Sequence, residues 1–251
     1  DTPDKVIKDA LDRGGEIYIA GGSYVLTNNF SGFDIKSDTH LKLAKDAYIA
    51  VPSGYSGYVF RLTNGIAHCV IEGGNLFEAS PIKRNWVGIL MQGGANGVFF
   101  NTVENMVIAN PGIVIDFTAS SGQWINANTF VNVVGQTFVT GIEFNFKGTH
   151  TDGTDGFSGN VFRDLQFQAD NMTKYGVKDI MHRDNAFYNV YFWDLPSDAI
   201  SSNISESSSN TIIIGGRMTD QSFEDKGANT IIVDALHNNL STNTTTGLSI
   251  M

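Results

Sequence analysis

The chain repeats one phrase, which reads Asn128-Thr-Phe-Val-Asn-Val133, then Asn160-Val-Phe-Arg-Asp-Leu165, then Asn185-Ala-Phe-Tyr-Asn-Val190. A shorter form returns at Asn210 and Asn229, so the five asparagines are spaced by 32, 25, 25 and 19 residues. A unit that varies in length but keeps its content is typical of a solenoid, in which stacked units share one core. The phrase predicts equivalent bends at the five asparagines and one buried column: Phe130, Phe162, Phe187, Ile212 and Ile231.

A second phrase alternates with the first and consists of a small residue followed by an apolar one. Its occurrences are Gly88-Ile89, Gly112-Ile113, Gly141-Ile142, Gly176-Val177 and Ala199-Ile200. Glycine at the entrance of a strand suits a bend that a Cβ atom would obstruct. Two alternating strand signals indicate at least two strands in each unit.

Composition supports a β-rich chain and excludes some functions. Of 251 residues, 41% are apolar, 27 are glycine and only 17% are charged, which favours strands and tight turns over long helices. No apolar run is long enough to predict a transmembrane helix. The net charge of −10 argues against nucleic acid as a partner. The single cysteine, Cys69, rules out an intrachain disulfide and is expected to be a buried thiol.

The first residues predict a short amphipathic helix. Thr2 suits the N-cap, Pro3 suits the first helical position, and Gly14-Gly15 suits the end of the helix. The apolar side of the helix is predicted to contain Val6, Ile7, Ala10 and Leu11. Because the first coil of a solenoid would otherwise expose its core, we expect this helix to cover that end.

The segment from Val6 to Leu26 resembles the N-terminal region of the pectate-lyase-like right-handed parallel β-helix superfamily. There a capping helix leads through a Gly-Gly turn into a strand and then a Gly-x-Tyr turn. Gly22-Ser-Tyr24 keeps that last turn here, while Ala20-Gly21 replaces the usual proline. With the asparagine phrases, the resemblance extends to about Ala235. It implies an all-β fold: a single-stranded right-handed parallel β-helix of roughly eight to ten coils with an N-terminal α-helical cap.

The resemblance and the repeats predict three segments. They are a helical cap at 1–15, the parallel β-helix at 16–237 and a polar C-terminal tail at 238–251. Because the tail contains no evident second cap, the last coil is expected to need cover from the tail, from a neighbouring chain or from residues beyond this sequence, and a homotrimer would supply it. The superfamily includes polysaccharide lyases, glycoside hydrolases, epimerases, phage tailspikes and adhesins, which implies a location outside the cell, on its surface or on a virion.

The longest polar loop, 147–159, holds the first candidate catalytic residues, Asp152 and Asp155, with His150 beside them as a candidate substrate ligand. Glycoside hydrolysis uses two carboxylic groups. Thr151-Asp-Gly153 resembles the Asn-Thr-Asp segment of polygalacturonase-type hydrolases, whose Asp-Asp and Gly-His-Gly segments are absent here. The same two carboxylates and nearby carbonyl groups would alternatively suit Ca2+, which takes oxygen ligands. A solvated pair of Asp-Gly turns is the simpler alternative.

A second group of candidates lies about one unit further along. Lys178 and His182 are candidate catalytic residues, and Arg163 and Arg183 are candidate substrate ligands. A polysaccharide lyase needs a base and a cation for the uronate carboxylate. Stacked coils would bring Lys178, His182 and Asp184 to one face with Asp155 or Arg163. Ordinary solvated charge is the alternative.

Aromatic residues give the third group. Tyr188 and Trp193 are candidates for stacking on sugar rings, with core packing as the alternative for such residues. The sequence thus predicts a protein that engages a polysaccharide or a cell-surface glycan along an elongated face. It leaves open a polysaccharide lyase, a glycoside hydrolase, and a non-catalytic tailspike, adhesin or structural module.

Overall fold

The computed structural model describes residues 1–148, 156–218 and 222–233, and these residues form a right-handed parallel β-helix. Within them, one helix precedes 26 strands. The first elements, in chain order, are α1 (Pro3–Leu11), β1 (Glu16–Ile19), β2 (Gly22–Val25), β3 (Phe33–Asp34), β4 (His40–Val51), β5 (Tyr58–Thr63), β6 (Ile66–Ala67), β7 (Val70–Glu78), β8 (Val87–Gln92), β9 (Val98–Phe99), β10 (Thr102–Glu104), β11 (Val107–Ala109) and β12 (Ile113–Ser120).

The second half of the chain continues with shorter strands. They are β13 (Trp124–Asn126), β14 (Thr129–Val131), β15 (Val134–Gln136), β16 (Thr140–Lys147), β17 (Gly156–Ser158), β18 (Val161–Arg163), β19 (Gln166–Gln168), β20 (Tyr175–Ile180), β21 (Ala186–Tyr188), β22 (Tyr191–Trp193), β23 (Ile200–Ile204), β24 (Ile212–Ile214), β25 (Phe223–Asp225) and β26 (Ile231–Val233).

The strands stack into three parallel sheets that surround one core. Sheet 1 has two halves, with β10, β14, β18, β21, β24 and β26 in the first and β11, β15, β19 and β22 in the second, while β4 and β7 run through both. Sheet 2 has the order β25-β23-β20-β16-β12-β8-β5-β3, and sheet 3 has the order β17-β13-β9-β6. A typical coil passes through sheet 2, sheet 3 and then both halves of sheet 1.

A buried column of apolar side chains lies behind the first half of sheet 1. Phe130, Phe162 and Phe187 are register partners, and their rings stack with centroids 5.3 Å and 4.7 Å apart. This part of the predicted column is confirmed. The prediction is wrong for the last two coils, because Ile213 and Ile232 continue the column instead of Ile212 and Ile231.

The same one-residue shift moves the last two asparagines. Four asparagines are buried: Asn101, Asn128, Asn160 and Asn185. Each of the first three donates from its side-chain amide to the side-chain oxygen of the next, and we call this row the asparagine ladder. In the last two coils, buried Thr211 and Thr230 take that interior place. Asn210 and Asn229 lie one residue earlier, at exposed left-handed bends with φ of 55° and 56°. Asparagine suits both places, so the residue type alone does not distinguish them.

The second phrase, a small residue followed by an apolar one, is in register in three of its five occurrences. Ile89, Ile142 and Val177 share one buried row of sheet 2. The counterpart in β12 is Ile115 rather than Ile113, and the counterpart of Val177 in β23 is Ser202 rather than Ile200. Both predictions were therefore displaced by two residues, and Ile113 and Ile200 lie instead in the partly buried row of Tyr58 and Tyr175.

The N-terminal helix packs on the first coil through fewer residues than predicted. Ile7 and Leu11 are buried, whereas Val6 is 53% exposed. Thr2 precedes the helix in an extended conformation but makes no side-chain capping bond. Cys69 is a buried free thiol, as expected. Within the described residues, no helix has the length and apolar character needed to cross a membrane.

Candidate functional site

The outer face of sheet 2 carries a row of charged side chains. In β12, the alternation of the strand turns Phe117 into the core and Asp116 outward. Asp116 is the register partner of Glu143 in the next coil, and Glu143 is the partner of Lys178 in the coil after that. In the other direction the same row continues through Leu90 to Arg61. We call Arg61, Leu90, Asp116, Glu143 and Lys178 the charged row.

Glu143 and Lys178 form an ion pair within this row. The Lys178 Nζ atom lies 2.7 Å from Glu143 Oε1, and both side chains are largely shielded from solvent. The hydrogen bond to Glu143 raises the pKa of Lys178 above its ordinary value, so the ammonium group stays charged at neutral pH. Lys178 also lies over the ring of Tyr175, 5.6 Å from its centroid.

Asp116 is an outward-facing carboxyl group that is nevertheless only 9% exposed. Burial, with a smaller contribution from the negative charge of Glu143, raises the pKa of Asp116 to about 6. A hydrogen bond from Thr118 Oγ1 to Asp116 Oδ1, 3.0 Å long, opposes this rise, as do the charges of Lys147 and Lys178. A carboxyl group with such a pKa exchanges its proton near neutral pH, which is the property required of a general acid or base.

A second cluster occupies the N-terminal end of the same row. Arg61 donates to both oxygens of Asp34, with Nε–Oδ1 and Nη2–Oδ2 distances of 2.7 Å and 2.9 Å. The guanidinium lies 4.7 Å from the centroid of the Tyr58 ring, and the Tyr58 hydroxyl donates to Asp34. Burial and this hydrogen bond raise the pKa of Tyr58 to about 12, so its hydroxyl remains a neutral donor.

The two clusters match each other in register. Tyr58 and Tyr175 lie in one row of sheet 2, separated by four strand steps through Val87, Ile113 and Thr140. Arg61 and Lys178 are separated by the same four steps in the charged row. At about 4.8 Å for each step, the two tyrosine–cation pairs are about 19 Å apart. The carboxyl groups of Asp116 and Glu143 lie between them.

Lys178 and His182 are the predicted catalytic residues that the structure describes, and of these two only Lys178 lies in the charged row. His182 follows β20 and is 4% exposed; its Nδ1 atom accepts a hydrogen bond of 3.0 Å from the backbone N–H of Phe157, and its ring packs against Phe146. His182 is buried, whereas Lys178 belongs to the outer face of sheet 2, so these two residues lie on different sides of the strand. Asp152, Asp155 and His150 lie outside the described residues.

The predicted substrate ligands lie on other surfaces. Arg163 and Tyr188 are register partners on the outside of sheet 1, so the structure brings these two together. Arg183 lies at the corner that continues sheet 3, between Ser158 and Ser209.

Trp193 faces outward from the second half of sheet 1. Its ring lies parallel to that of Tyr191, with centroids 5.6 Å apart, and the Arg217 guanidinium is 5.5 Å from its centroid. Phe192, which lies between Tyr191 and Trp193 in the sequence, is buried, so these two residues share the outward face of the strand. The stack combines apolar rings with a cation, as the hypothesis of an aromatic sugar contact requires.

Sequence reasoning missed Asp116, Glu143, Arg61, Tyr58 and Tyr175. The available signal was a single carboxyl group in each of two strongly apolar runs, Ile113-Val-Ile-Asp-Phe117 and Gly141-Ile-Glu-Phe144. Among the residues that the structure describes, no group of three or more His, Cys, Asp or Glu side chains is placed to hold a metal ion. The Ca2+ hypothesis rested on Asp152 and Asp155, and it stays a hypothesis.

Comparison with solved structures shows the same fold in proteins of very different sequence. A surface adhesin of Streptococcus pneumoniae, PfbA, superposes with a TM-score of 0.53 at 11% identity, covering 95% of this chain and 68% of the adhesin chain. A Geobacillus virus E2 protein gives 0.56 at 11% identity, with 93% and 58% covered. The catalytic domain of a GH87 α-1,3-glucanase variant in complex with nigerose gives 0.52 at 14% identity, with 99% and 53% covered.

This chain therefore spans between about half and two thirds of the length of those structures. No protein-family model matches the sequence. No curated protein matches it either. At these identities the likeness establishes the parallel β-helix fold, and the site must be argued from its own residues.

Proposed function

We propose that this protein binds a polysaccharide along the outer face of sheet 2. The observation that carries the proposal is the pair of tyrosine–cation clusters, Tyr58 with Arg61 and Tyr175 with Lys178, in matching register across four strand steps. Tyrosine rings offer apolar surface to sugar rings, and the charged groups between them offer hydrogen bonds to hydroxyl groups. A linear polymer with repeated hydroxyl groups matches a surface that repeats in this way.

The fold adds support by analogy. The pneumococcal protein is a surface adhesin, and the GH87 domain is an enzyme domain in complex with the sugar nigerose. Both have the architecture found here, although a fold alone does not transmit a function. By the same analogy we propose a location outside the cell, on a cell surface or on a virion.

Affinity electrophoresis in gels that contain one polysaccharide each would test this function. A suitable panel includes acidic polymers (alginate, polygalacturonate, hyaluronate) and neutral ones (α-1,3-glucan, dextran, xylan). We expect the protein to be retarded in at least one gel, and Tyr175→Ala and Tyr58→Ala to lose most of that retardation. Tyr18→Ala is the matched control, because Tyr18 is 65% exposed on β1, away from sheet 2.

Two results would contradict the proposal. One is normal migration of the wild-type protein in every gel of the panel. The other is equal retardation of wild-type protein, Tyr175→Ala and Tyr58→Ala, which would place the bound glycan on another surface. The aromatic stack of Tyr191 and Trp193 is the second candidate surface, and Trp193→Ala in the same gels would show whether it contributes.

A further inference from the structure

The carboxyl groups of Asp116 and Glu143 are neighbours in different electrostatic surroundings. Glu143 is held by an ammonium group at 2.7 Å, whereas Asp116 receives a hydrogen bond from a neutral hydroxyl. Asp116 is also the more deeply buried of the outward-facing acids on β12 and β16. Neighbouring carboxyl groups in different surroundings are the arrangement by which an enzyme obtains an acid and a second functional carboxylate from the same residue type.

We propose that Asp116 and Glu143 form a catalytic pair that hydrolyses a glycosidic bond of the polysaccharide bound on sheet 2. This inference rests on the proposed function, because the pair lies between the two tyrosine–cation clusters that would hold the polymer. Asp116 supplies the general acid, and Glu143 supplies the nucleophile. Lys178 contacts Glu143 and is a positioning residue rather than a base.

The protonation state of Asp116 follows from the groups that surround it. The groups that face Asp116 are Glu143 and Lys147 on β16 and Lys178 on β20, while the register partner on β8 is the uncharged Leu90. Burial and the charge of Glu143 raise the pKa of Asp116 to about 6, so this carboxyl group is mostly protonated below that pH. The ammonium of Lys178 lies 2.7 Å from Glu143 and holds its carboxyl group in position.

The register also indicates the stereochemical course. The Cα atoms of Asp116 and Glu143 are one strand step apart, about 4.8 Å. Retaining glycosidases hold their two carboxyl groups about 5–5.5 Å apart, and inverting enzymes about 6.5–9.5 Å apart to admit a water molecule. Side chains that leave the backbone one strand step apart are closer to the shorter of these separations, and the proposal therefore takes the retaining course.

In the first step Asp116 gives its proton to the glycosidic oxygen as the bond from that oxygen to the anomeric carbon breaks. A Glu143 oxygen bonds to the same carbon, and the leaving sugar departs as an alcohol. In the second step water attacks the anomeric carbon and gives a proton to Asp116, while the bond to Glu143 breaks. The sum is hydrolysis, with water as the only co-reactant.

The test uses the full chain and the same six polysaccharides, with reducing ends measured as product. We expect wild-type protein to release reducing ends from the polymer that retards it. Asp116→Asn and Glu143→Gln should each lower the rate at least 100-fold while retardation in the gel is kept. Glu104→Gln is the matched control, because Glu104 is a carboxyl group on β10 of sheet 1, away from this face.

The positioning role of Lys178 is tested separately, by the pH–rate profile of its variants. Because its charge lowers the pKa of Asp116, Lys178→Met should move the alkaline limb of the pH–rate profile to higher pH as well as lower the rate. Lys178→Arg should restore the position of that limb. An unchanged profile in Lys178→Met would limit Lys178 to a structural role and contradict the assignment.

The outcomes separate the two proposals. Retardation without reducing ends would overturn the catalytic pair and leave polysaccharide binding standing. Reducing ends that persist in Asp116→Asn and Glu143→Gln would place catalysis elsewhere. Ultraviolet-absorbing unsaturated ends would make the protein a lyase and overturn the hydrolytic assignment. Absence of both binding and cleavage across the panel would overturn both proposals.

Discussion

Asp116 and Glu143 occupy the same register position in adjacent coils, so two acidic side chains leave one face of the β-helix side by side. The hydrogen-bond partners differ: Thr118 donates to Asp116, and Lys178 donates to Glu143. Like charges at one strand spacing are destabilising unless one of them is neutralised. Here burial favours the protonated form of Asp116, and the ion pair satisfies Glu143.

This arrangement predicts that stability depends on pH through Asp116. Its folded-state pKa of about 6 lies above its ordinary value of 3.8, so between these values the folded chain binds more protons than the unfolded chain. The contribution of Asp116 to stability is present below about pH 4 and is lost as the pH rises through about 6. Relative to Asp116→Asn, the wild-type free energy of unfolding should fall by about 2–3 kcal/mol between about pH 4 and pH 7.5.

Urea unfolding of both proteins at each pH would measure this difference. Glu104→Gln removes one carboxylate from sheet 1 and controls for the change in net charge. A constant difference between wild-type protein and Asp116→Asn across the pH range would show that Asp116 does not titrate in this window.

The sequence predicts the interior of the coils better than their outer face, and Asp116 shows why. The apolar alternation fixes which residues face inward, since the core must be filled in every coil. It does not fix which outward residues are neighbours. Aligning Gly112-Ile113 with Gly141-Ile142 displaces β12 by two residues, which places buried Val114 rather than Asp116 beside Glu143. Lys178 was found because it lies in a visible cluster of charges, whereas the two acids are each alone in apolar strands.

Two glycines at the entrances of strands in sheet 2 mark places where neighbouring backbones approach closely. An added Cβ atom at Gly141 would lie 2.4 Å from the carbonyl oxygen of Gly176, and one at Gly176 would lie 2.2 Å from that of Ser201. Close approach of neighbouring backbones therefore explains two of the glycines. The structural counterpart in β12 is Val114, which has a side chain, so the phrase itself is broken in that coil.

Ile212 and Ile213 offer a direct test of the register in the last coils. Ile213 is fully buried as the partner of Phe187, whereas Ile212 faces outward. Three successive isoleucines give no alternation, so the sequence could not decide between the two faces. Ile213→Ala should lower the free energy of unfolding by about 2–5 kcal/mol, and Ile212→Ala by about 1 kcal/mol or less. Equal losses in urea denaturation would contradict the observed register.

The buried asparagine ladder should be more costly to interrupt than an exposed one. Asn160 accepts from the side-chain amide of Asn128 and donates to Asn185 and to the carbonyl oxygen of Ile125. Asn160→Ala leaves these buried groups without partners and should destabilise the protein by about 2–4 kcal/mol. Asn132→Gly is the control, because it removes an exposed amide bond but tolerates the φ of 50° found there.

For the control we expect a loss of about 1 kcal/mol or less. Similar unfolding midpoints for Asn160→Ala and wild-type protein would mean that water or a local shift satisfies the ladder.

The segment 1–15 is predicted to be a cap whose main anchor is Leu11. Leu11 is 1% exposed, whereas Val6 on the other side of α1 is 53% exposed. Leu11→Ala should therefore cost about 2–5 kcal/mol, and Val6→Ala less than about 1 kcal/mol. Deletion of residues 1–15 should expose the first coil and cause aggregation, measured by light scattering. A soluble deletion variant as stable as the full chain would refute the capping role.

Apolar side chains lie on the outer side of sheet 1 near its last strands, and we expect the protein to self-associate through them. Ile214 and Val233 are register partners there, next to Tyr188, and Ile231 is 40% exposed. Contiguous apolar side chains on a surface mark sites of association, and we expect a homotrimer to bury them. Multi-angle light scattering should then give three times the chain mass of 27.2 kDa. Ile214→Lys should shift the mass towards the monomer, whereas Val25→Lys, at an exposed site on β2, should not. A mass of 27.2 kDa for the wild-type protein at every concentration would rule out the trimer.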